Sequence, residues 1–356
     1  MFTFIMMTKF LFINNNKMIK LSMMKILFLM ILIFSTMITI NSSSWINAWM
    51  GMEINLMSFI PLMMNKLKNK KNSNSMMIYF IIQAGASSIL MMMIIMMKME
   101  LNFMKFNLIM NMIQMSLLLK LGASPFHWWT PKFTINLNWN NLFIFLTWQK
   151  IAPMFLLISM NSNSMIYMST LMSTLIGAIM GMNQTLIKLI MVYSSINHLG
   201  WMLMMLIINM KMLMMYFIIY SLINFMICMM MNNLNMMFLN QLIKNNNQNL
   251  NLKLIIISLF FSLSGLPPFI GFLPKLFSLI LMLKNNLIFE SILFIFMAII
   301  SLSFYINPLM SIFINKKFNM KWNNKINEIF KMINSIILMN LILIMLILTP
   351  IMNNII

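Results

Sequence analysis

Four ionisable residues fall inside runs apolar enough to lie in lipid: Glu53 in "WMGMEINLMSF", Lys120 in "LLLKLGASPF", Lys150 in "LTWQKIAP" and Lys275 closing "LFFSLSGLPPFIGFLPK". Burying a lysine near a bilayer centre costs on the order of 2.5–3.5 kcal/mol on insertion scales. Lysines near helix ends escape by reaching for the headgroups, but Lys120 and Lys150 lie too far inside their segments for that. A Lys–Glu pair held out of water can keep or release a proton as the distance between its members changes, and Glu53 is the natural partner. His127 in "PFHWW" and His198 in "YSSINHLGW" could relay protons near neutral pH. The chemistry these types support is proton movement within a membrane. A static ion pair locking two helices, with the histidines as packing residues, is the rival reading.

The elements that must hold these groups are membrane helices. Of 356 residues, 62% are hydrophobic and 8% charged, and the apolar runs are about the 20 residues that a spanning helix needs. The sequence predicts an all-α, polytopic membrane helical bundle with eleven spans, at 23–40, 46–64, 76–97, 103–130, 141–159, 165–182, 186–208, 212–231, 252–283, 287–314 and 335–352. The spans at 103–130 and 252–283 are broken, at "LGASPF" and "SGLPPF". Proline removes a backbone donor and obstructs the carbonyl four residues earlier, so a break at depth needs protein or water to satisfy the freed groups.

If the first ten spans are divided into two sets of five, each set has its break in the fourth helix, and the second set enters the membrane from the opposite side. That is the pattern of an inverted repeat, whose paired discontinuous helices point to an ion or substrate pathway. The expected organisation is an amino-terminal extension (1–22), a first five-helix repeat (23–160), a second (161–314), and a basic loop with a final span (315–356).

Charge supports this layout. Seventeen lysines fall on the side of the amino terminus, Lys132 and Lys188 among them, against four (Lys98, Lys105, Lys211 and Lys284) on the other. By the positive-inside rule the amino terminus is inside and the carboxyl terminus outside. The formal charge of +20 therefore reads as topology and lipid-headgroup contact, not nucleic-acid binding, since there is neither a phosphate loop nor a basic helix face with interleaved aromatics. One cysteine, two histidines and four acids leave the chain without the ligands for an iron–sulfur cluster or a conventional zinc site. Cys228 reads as an inert buried thiol.

Five ordered blocks carry a resemblance: "SSSWINAWMGMEINLMSFIPL", "LLLKLGASPFHWWTPKF", "LTWQKIAP", "NQTLIKLIMVYSSINHLGWM" and "LSGLPPFIGFLPK". From about residue 23 onward the chain resembles the chain 2 family of antiporter-like membrane-arm subunits in animal mitochondrial NADH:ubiquinone oxidoreductase, respiratory complex I. The resemblance implies an inner-membrane subunit that takes part in proton translocation and holds no cofactor itself. NADH, FMN, iron–sulfur clusters and ubiquinone would belong to partner subunits, and the partners would be other membrane-arm subunits and lipids such as cardiolipin. It places the amino terminus in the matrix and the carboxyl terminus toward the intermembrane space.

It further implies that Glu53, Lys120, Lys150 and Lys275 form a polar chain along the membrane midplane, with His127 and His198 matching family histidines. Arginine is absent, and 54 methionines with abundant Asn, Ile and Lys suggest an AT-rich organellar genome. A free-standing cation/proton antiporter and a structural spacer are the alternative functions.

Overall fold

In a computed structural model of the chain, the described residues are 19–314 apart from 65–69, 100–102, 161–163, 240, 242–249 and 268. Most of the expected amino-terminal extension, and the basic loop with the last expected span, lie outside them. Thirteen helices are described: α1 (Ile19–Ile40), α2 (Trp45–Met63), α3 (Lys70–Lys98), α4 (Phe103–Leu121), α5 (Trp129–Thr134), α6 (Trp139–Leu146), α7 (Trp148–Ile158), α8 (Ser164–Gly181), α9 (Ile187–Ile208), α10 (Met210–Leu234), α11 (Leu250–Ser264), α12 (Phe272–Lys284) and α13 (Ile288–Ile314). Among the described residues there is no strand beyond one isolated bridge, Leu186 with Phe238.

Among the described residues, seven segments are long and apolar enough to cross a membrane: 23–40, 73–98, 139–158, 164–181, 187–208, 210–234 and 288–307. The α4 and α11 portions, 106–121 and 255–264, are shorter apolar helices. Helix α2 has 19 residues, about 28 Å at 1.5 Å per residue, and its apolar run is diluted by Asn47, Glu53 and Asn55.

Both expected breaks are present, and both begin on a glycine. Helix α4 stops at Leu121, and Gly122 adopts φ +68°. The Gly122 N–H donates to Leu119 O (3.1 Å) and the Ala123 N–H to Leu118 O (3.1 Å), the two bonds of a Schellman cap. Helix α11 stops at Ser264, and Gly265 adopts φ +79°. The Gly265 and Leu266 N–H groups both donate to Phe261 O, at 3.2 and 3.4 Å. A left-handed backbone at these two points costs glycine little and a side-chain-bearing residue considerably more.

The expected continuous span at 141–159 is interrupted as well. Thr147 sits between α6 and α7 with φ −117° and ψ −68°, its hydroxyl donating back to Phe143 O (2.8 Å). Pro153 lies inside α7. It has no N–H to give to the Gln149 carbonyl and crowds it, which disturbs the turn upstream.

The buried apolar side chains form two separate clusters, stacked along the helices. One holds Phe59, Phe133, Phe143, Phe145, Ile190, Ile227 and Phe260. The other holds Met52, Leu90, Leu117, Leu157, Trp201, Leu203 and Phe294. Several helices contribute to both, and the residues between their two contributions include polar ones: Glu53 and Asn55 on α2, Gln83 on α3, Lys150 on α7, Asn197 and His198 on α9.

Helices α8 and α9 pack most closely. A Cβ on Gly177 would lie 2.6 Å from Asn197 N, and one on Gly200 would lie 2.4 Å from Thr174 Cγ2. Gly85 on α3 faces open space. Gly177→Ala is therefore expected to lower stability by about 1–3 kcal/mol through overpacking, whereas Gly85→Ala raises it slightly through helix propensity, by about 0.5–1 kcal/mol. Thermal unfolding of the membrane-embedded protein checks both; equal midpoints for the two variants would mean α8 and α9 are not this close.

Candidate functional site

Each of the three lysines expected within the membrane stands beside a helix interruption. Lys120 is two residues before the Gly122 break, Lys150 three residues after Thr147, and Lys275 in the first turn of α12, just past the 265–271 break. All three are buried, 8%, 3% and 5% exposed, so none extends from the surface of the bundle.

Lys275 is the best satisfied. Its Nζ donates to Ser264 O (2.6 Å) and Leu263 O (3.4 Å), the last carbonyls of α11. One half of the broken helix thus supplies the cation that caps the other half's freed carbonyls, the favourable end of its dipole for positive charge. Two glycines let the halves approach. A Cβ on Gly265 would lie 2.8 Å from Lys275 Cδ, and one on Gly271 would fall 1.6 Å from Ser262 O.

Lys150 makes longer contacts, to Ser195 O (3.5 Å) and Tyr220 Oη (3.4 Å), with its ammonium 5.2 Å from the Tyr220 ring centre. His198 lies within Coulombic range of both Lys150 and Lys275. Its Nδ1 is 2.8 Å from Tyr216 Oη and its ring 5.2 Å from that of Tyr220. The Leu263 carbonyl that accepts from Lys275 is also within hydrogen-bonding reach of His198. A neutral imidazole fits, accepting from Tyr216 at Nδ1.

Lys120 is the least satisfied. Among the described residues, the one hydrogen-bond contact of its ammonium is Met52 Sδ at 3.8 Å. The static Glu53 ion pair of the rival reading is absent among the described residues: Glu53 lies in Coulombic range, but its Oε1 is buried with no hydrogen-bond partner there. Beside Lys120 is a cavity with ≈ 20 Å³ open to water centres, lined by Asn55, Tyr79, Gln83, Lys120 and Gln149 among others. That is room for about one water, with polar groups enough to hold it. Gln149 Nε2 donates to Asn55 Oδ1 (3.0 Å), Tyr79 Oη to Gln149 Oε1 (3.5 Å) and Gln83 Nε2 to Lys120 O (3.2 Å).

His127 stands apart. It lies half-buried in the 122–128 break, and among the described residues no hydrogen bond joins it to the lysines. Its carbonyl accepts from the Thr130 N–H (3.0 Å) and hydroxyl (2.9 Å).

The sequence reading missed Asn55, Gln83, Gln149, Tyr216 and Tyr220. Gln149 adjoins Lys150, and Gln83 is a lone amide in an apolar run, so both left a faint signal. It also missed the hydrogen bond from the Tyr167 hydroxyl to Glu290, which ties α8 to α13, and it misread Lys188. Counted as a topology lysine, Lys188 is 5% exposed and donates to two backbone carbonyls, while Lys25, Lys98, Lys132, Lys211 and Lys284 are exposed as expected. No group of three or more His, Cys, Asp or Glu among the described residues could hold a metal ion.

Residues 42–301 match the family model of the NADH:quinone oxidoreductase/Mrp antiporter transmembrane proteins. The chain is 43% identical over 330 residues to NADH-ubiquinone oxidoreductase chain 2 of Anopheles gambiae, covering 89% of this chain and 96% of that one. The chain belongs to the NADH-ubiquinone oxidoreductase chain 2 family. The chain 2 protein of the earthworm Lumbricus terrestris is 36% identical over 79% of this chain and 84% of its own length. Among solved structures, a chain of Thermus thermophilus respiratory complex I superposes with TM-score 0.74 at 17% identity (83% of this chain, 72% of that one). A chain of the Mrp complex from Dietzia does so with TM-score 0.73 at 14% identity (80% and 60%). At those identities the likeness shows a shared fold.

The close approach at the second break generates a prediction. Gly271→Ala is expected to force α11 and α12 apart, pull Lys275 from the Ser264 carbonyl and reduce accumulation of folded protein in membranes severalfold. Accumulation at the wild-type level, measured by quantitative immunoblot, would mean the two halves are not held as described.

Proposed function

We propose that this chain is a core membrane subunit of mitochondrial respiratory complex I that moves protons across the inner membrane while partner subunits pass electrons from NADH to ubiquinone. The observation that carries the reading is the polar layer between two apolar clusters, in which Lys120, Lys150, His198 and Lys275 are buried beside broken helices. NADH, FMN, iron–sulfur clusters and ubiquinone belong to the partners in this reading, and this chain contributes to the reductase by proton transfer alone.

The proposed arrangement is eleven spans in two inverted five-helix repeats with one added helix. The amino terminus lies in the matrix and the carboxyl terminus in the intermembrane space, as the lysine asymmetry favours. Neighbouring membrane-arm subunits, and lipids including cardiolipin, would cover the apolar outer faces of α1, α3 and α13.

In this reading Glu53 and Lys120 form the input. A change of field near Glu53 alters the proton affinity of Lys120, whose ammonium has few fixed partners and a water-sized cavity beside it. The proton passes toward Lys150 by way of water in that cavity, held in place by the Gln149 and Asn55 amides. From there His198 links it to Lys275: a neutral imidazole can accept at one nitrogen while releasing from the other. His127, outside this line, would serve at most as a relay at the first break.

In assembled complex I, Lys120→Met is expected to lower the number of protons pumped per NADH oxidised by half or more, with the complex still assembled. An unchanged stoichiometry, measured in proteoliposomes, would refute the assignment.

A further inference from the structure

The fourth buried lysine has no place in the path just described. Lys188 lies in the first turn of α9, where the helix dipole disfavours a cation, yet it is almost wholly buried. A lysine serving only topology or solubility would point at water. This one donates to Ile135 O (3.2 Å) and Leu137 O (2.5 Å), with its ammonium 5.7 Å from the Trp139 ring centre. Charge-assisted bonds to two carbonyls are stronger and more directional than neutral ones.

The place of those acceptors matters. Ile135 is the C-cap residue of α5, the Leu137 N–H donates to Thr134 O (3.1 Å), and Trp139 opens α6. The clamp therefore grips the connection that leads from the first break into the α6–α7 unit. Its base is anchored independently: the Ile187 N–H donates to Met237 O (3.0 Å) and the Leu239 N–H to Thr185 O (3.1 Å). Seven residues after Lys188, on the same face of α9, Ser195 presents the carbonyl that accepts from Lys150. One helix thus holds both the entry to the α6–α7 unit and the lysine within it.

We propose that Lys188 is a positioning residue of the proton path, its ammonium clamping the 135–137 carbonyls so that Lys150 stays in register with Ser195, Tyr220 and His198. The contacts of Lys150 are already 3.4–3.5 Å long, at the limit of a hydrogen bond, so a slip of α6–α7 by a fraction of an ångström breaks them. This role rests on the proton-path reading above.

The test uses the assembled complex carrying Lys188→Met, Lys188→Arg or Lys120→Met, with two readouts: amide hydrogen exchange at residues 135–142 and protons pumped per NADH. Lys188→Met is expected to speed exchange there about tenfold by opening a local bond network, and to halve the stoichiometry. Lys188→Arg, which keeps charge and donors, restores both. Unchanged exchange in Lys188→Met, or faster exchange with full pumping, overturns the clamp. Should Lys188→Met not accumulate, Lys188→Gln decides: wild-type values on both readouts overturn the proposal, and partial loss on both supports it. If Lys120→Met pumps normally, the proton-path reading itself fails, while exchange at 135–142 still reports on the clamp.

Discussion

An ammonium group in the apolar interior of a membrane protein must find acceptors, and a continuous helix offers poor ones, because each of its carbonyls already accepts from the N–H four residues on and has one lone pair left. The structure meets this constraint by breaking helices beside the lysines. At the second break the solution is direct, with Lys275 capping the carbonyls of Leu263 and Ser264. Lys188 uses the same device on the loop after α5. Lys150 borrows a carbonyl from within α9 and a tyrosine hydroxyl. The graded satisfaction along this series, from two carbonyls at Lys275 to one thioether at Lys120, places the loosest cation next to the cavity and the acid.

The rest of the architecture follows. Two apolar clusters can pack at ordinary density only if the polar groups are confined between them, and the confinement gives the layer its shape: a line crossing α2, α3, α4, α7, α9, α10 and the break before α12. Glycines at 122, 265 and 271 set where the backbone turns and how closely the halves meet. The pairing of α8 with α9 through Gly177 and Gly200 fixes the helix that carries both the Lys188 clamp and His198. A proton line built this way needs no fixed ion pair. In the proposed path Glu53 acts on Lys120 through its field, from Coulombic range.

Much of this was legible in the sequence, and the parts that were not have definite reasons. The breaks at "LGASPF" and "SGLPPF" announce themselves through glycine and proline, and the four charged residues stand out against lipid-like surroundings. The break at Thr147 did not, because Pro153 acts on the carbonyl one turn earlier and six residues from where the chain bends. Lys188 looked like its exposed neighbours in the loops, since its burial depends on carbonyls some fifty residues away. The separation of Glu53 and Lys120, which decides between a mobile pair and a static ion pair, is a statement about distance, and residue types do not contain it. Asn55, Gln83 and Gln149 were hidden by a composition in which amides are common, and only their convergence on one cavity marks them. His127 gives its backbone carbonyl to Thr130 within the break, and among the described residues no hydrogen bond joins its ring to the lysines.

The central claim is that the buried lysines are joined through water and polar side chains at mid-depth. An experimental density map of the assembled complex, at a resolution that shows ordered waters, tests this most directly. The account predicts water beside Lys120, Gln149 and Asn55, a further hydrogen-bonded connection from Lys150 through His198 to Lys275, and the Lys275 ammonium on the Ser264 carbonyl. A dry apolar layer separating Lys120 from Lys150, or ammonium groups extending to the headgroups from unbroken helices, would contradict it.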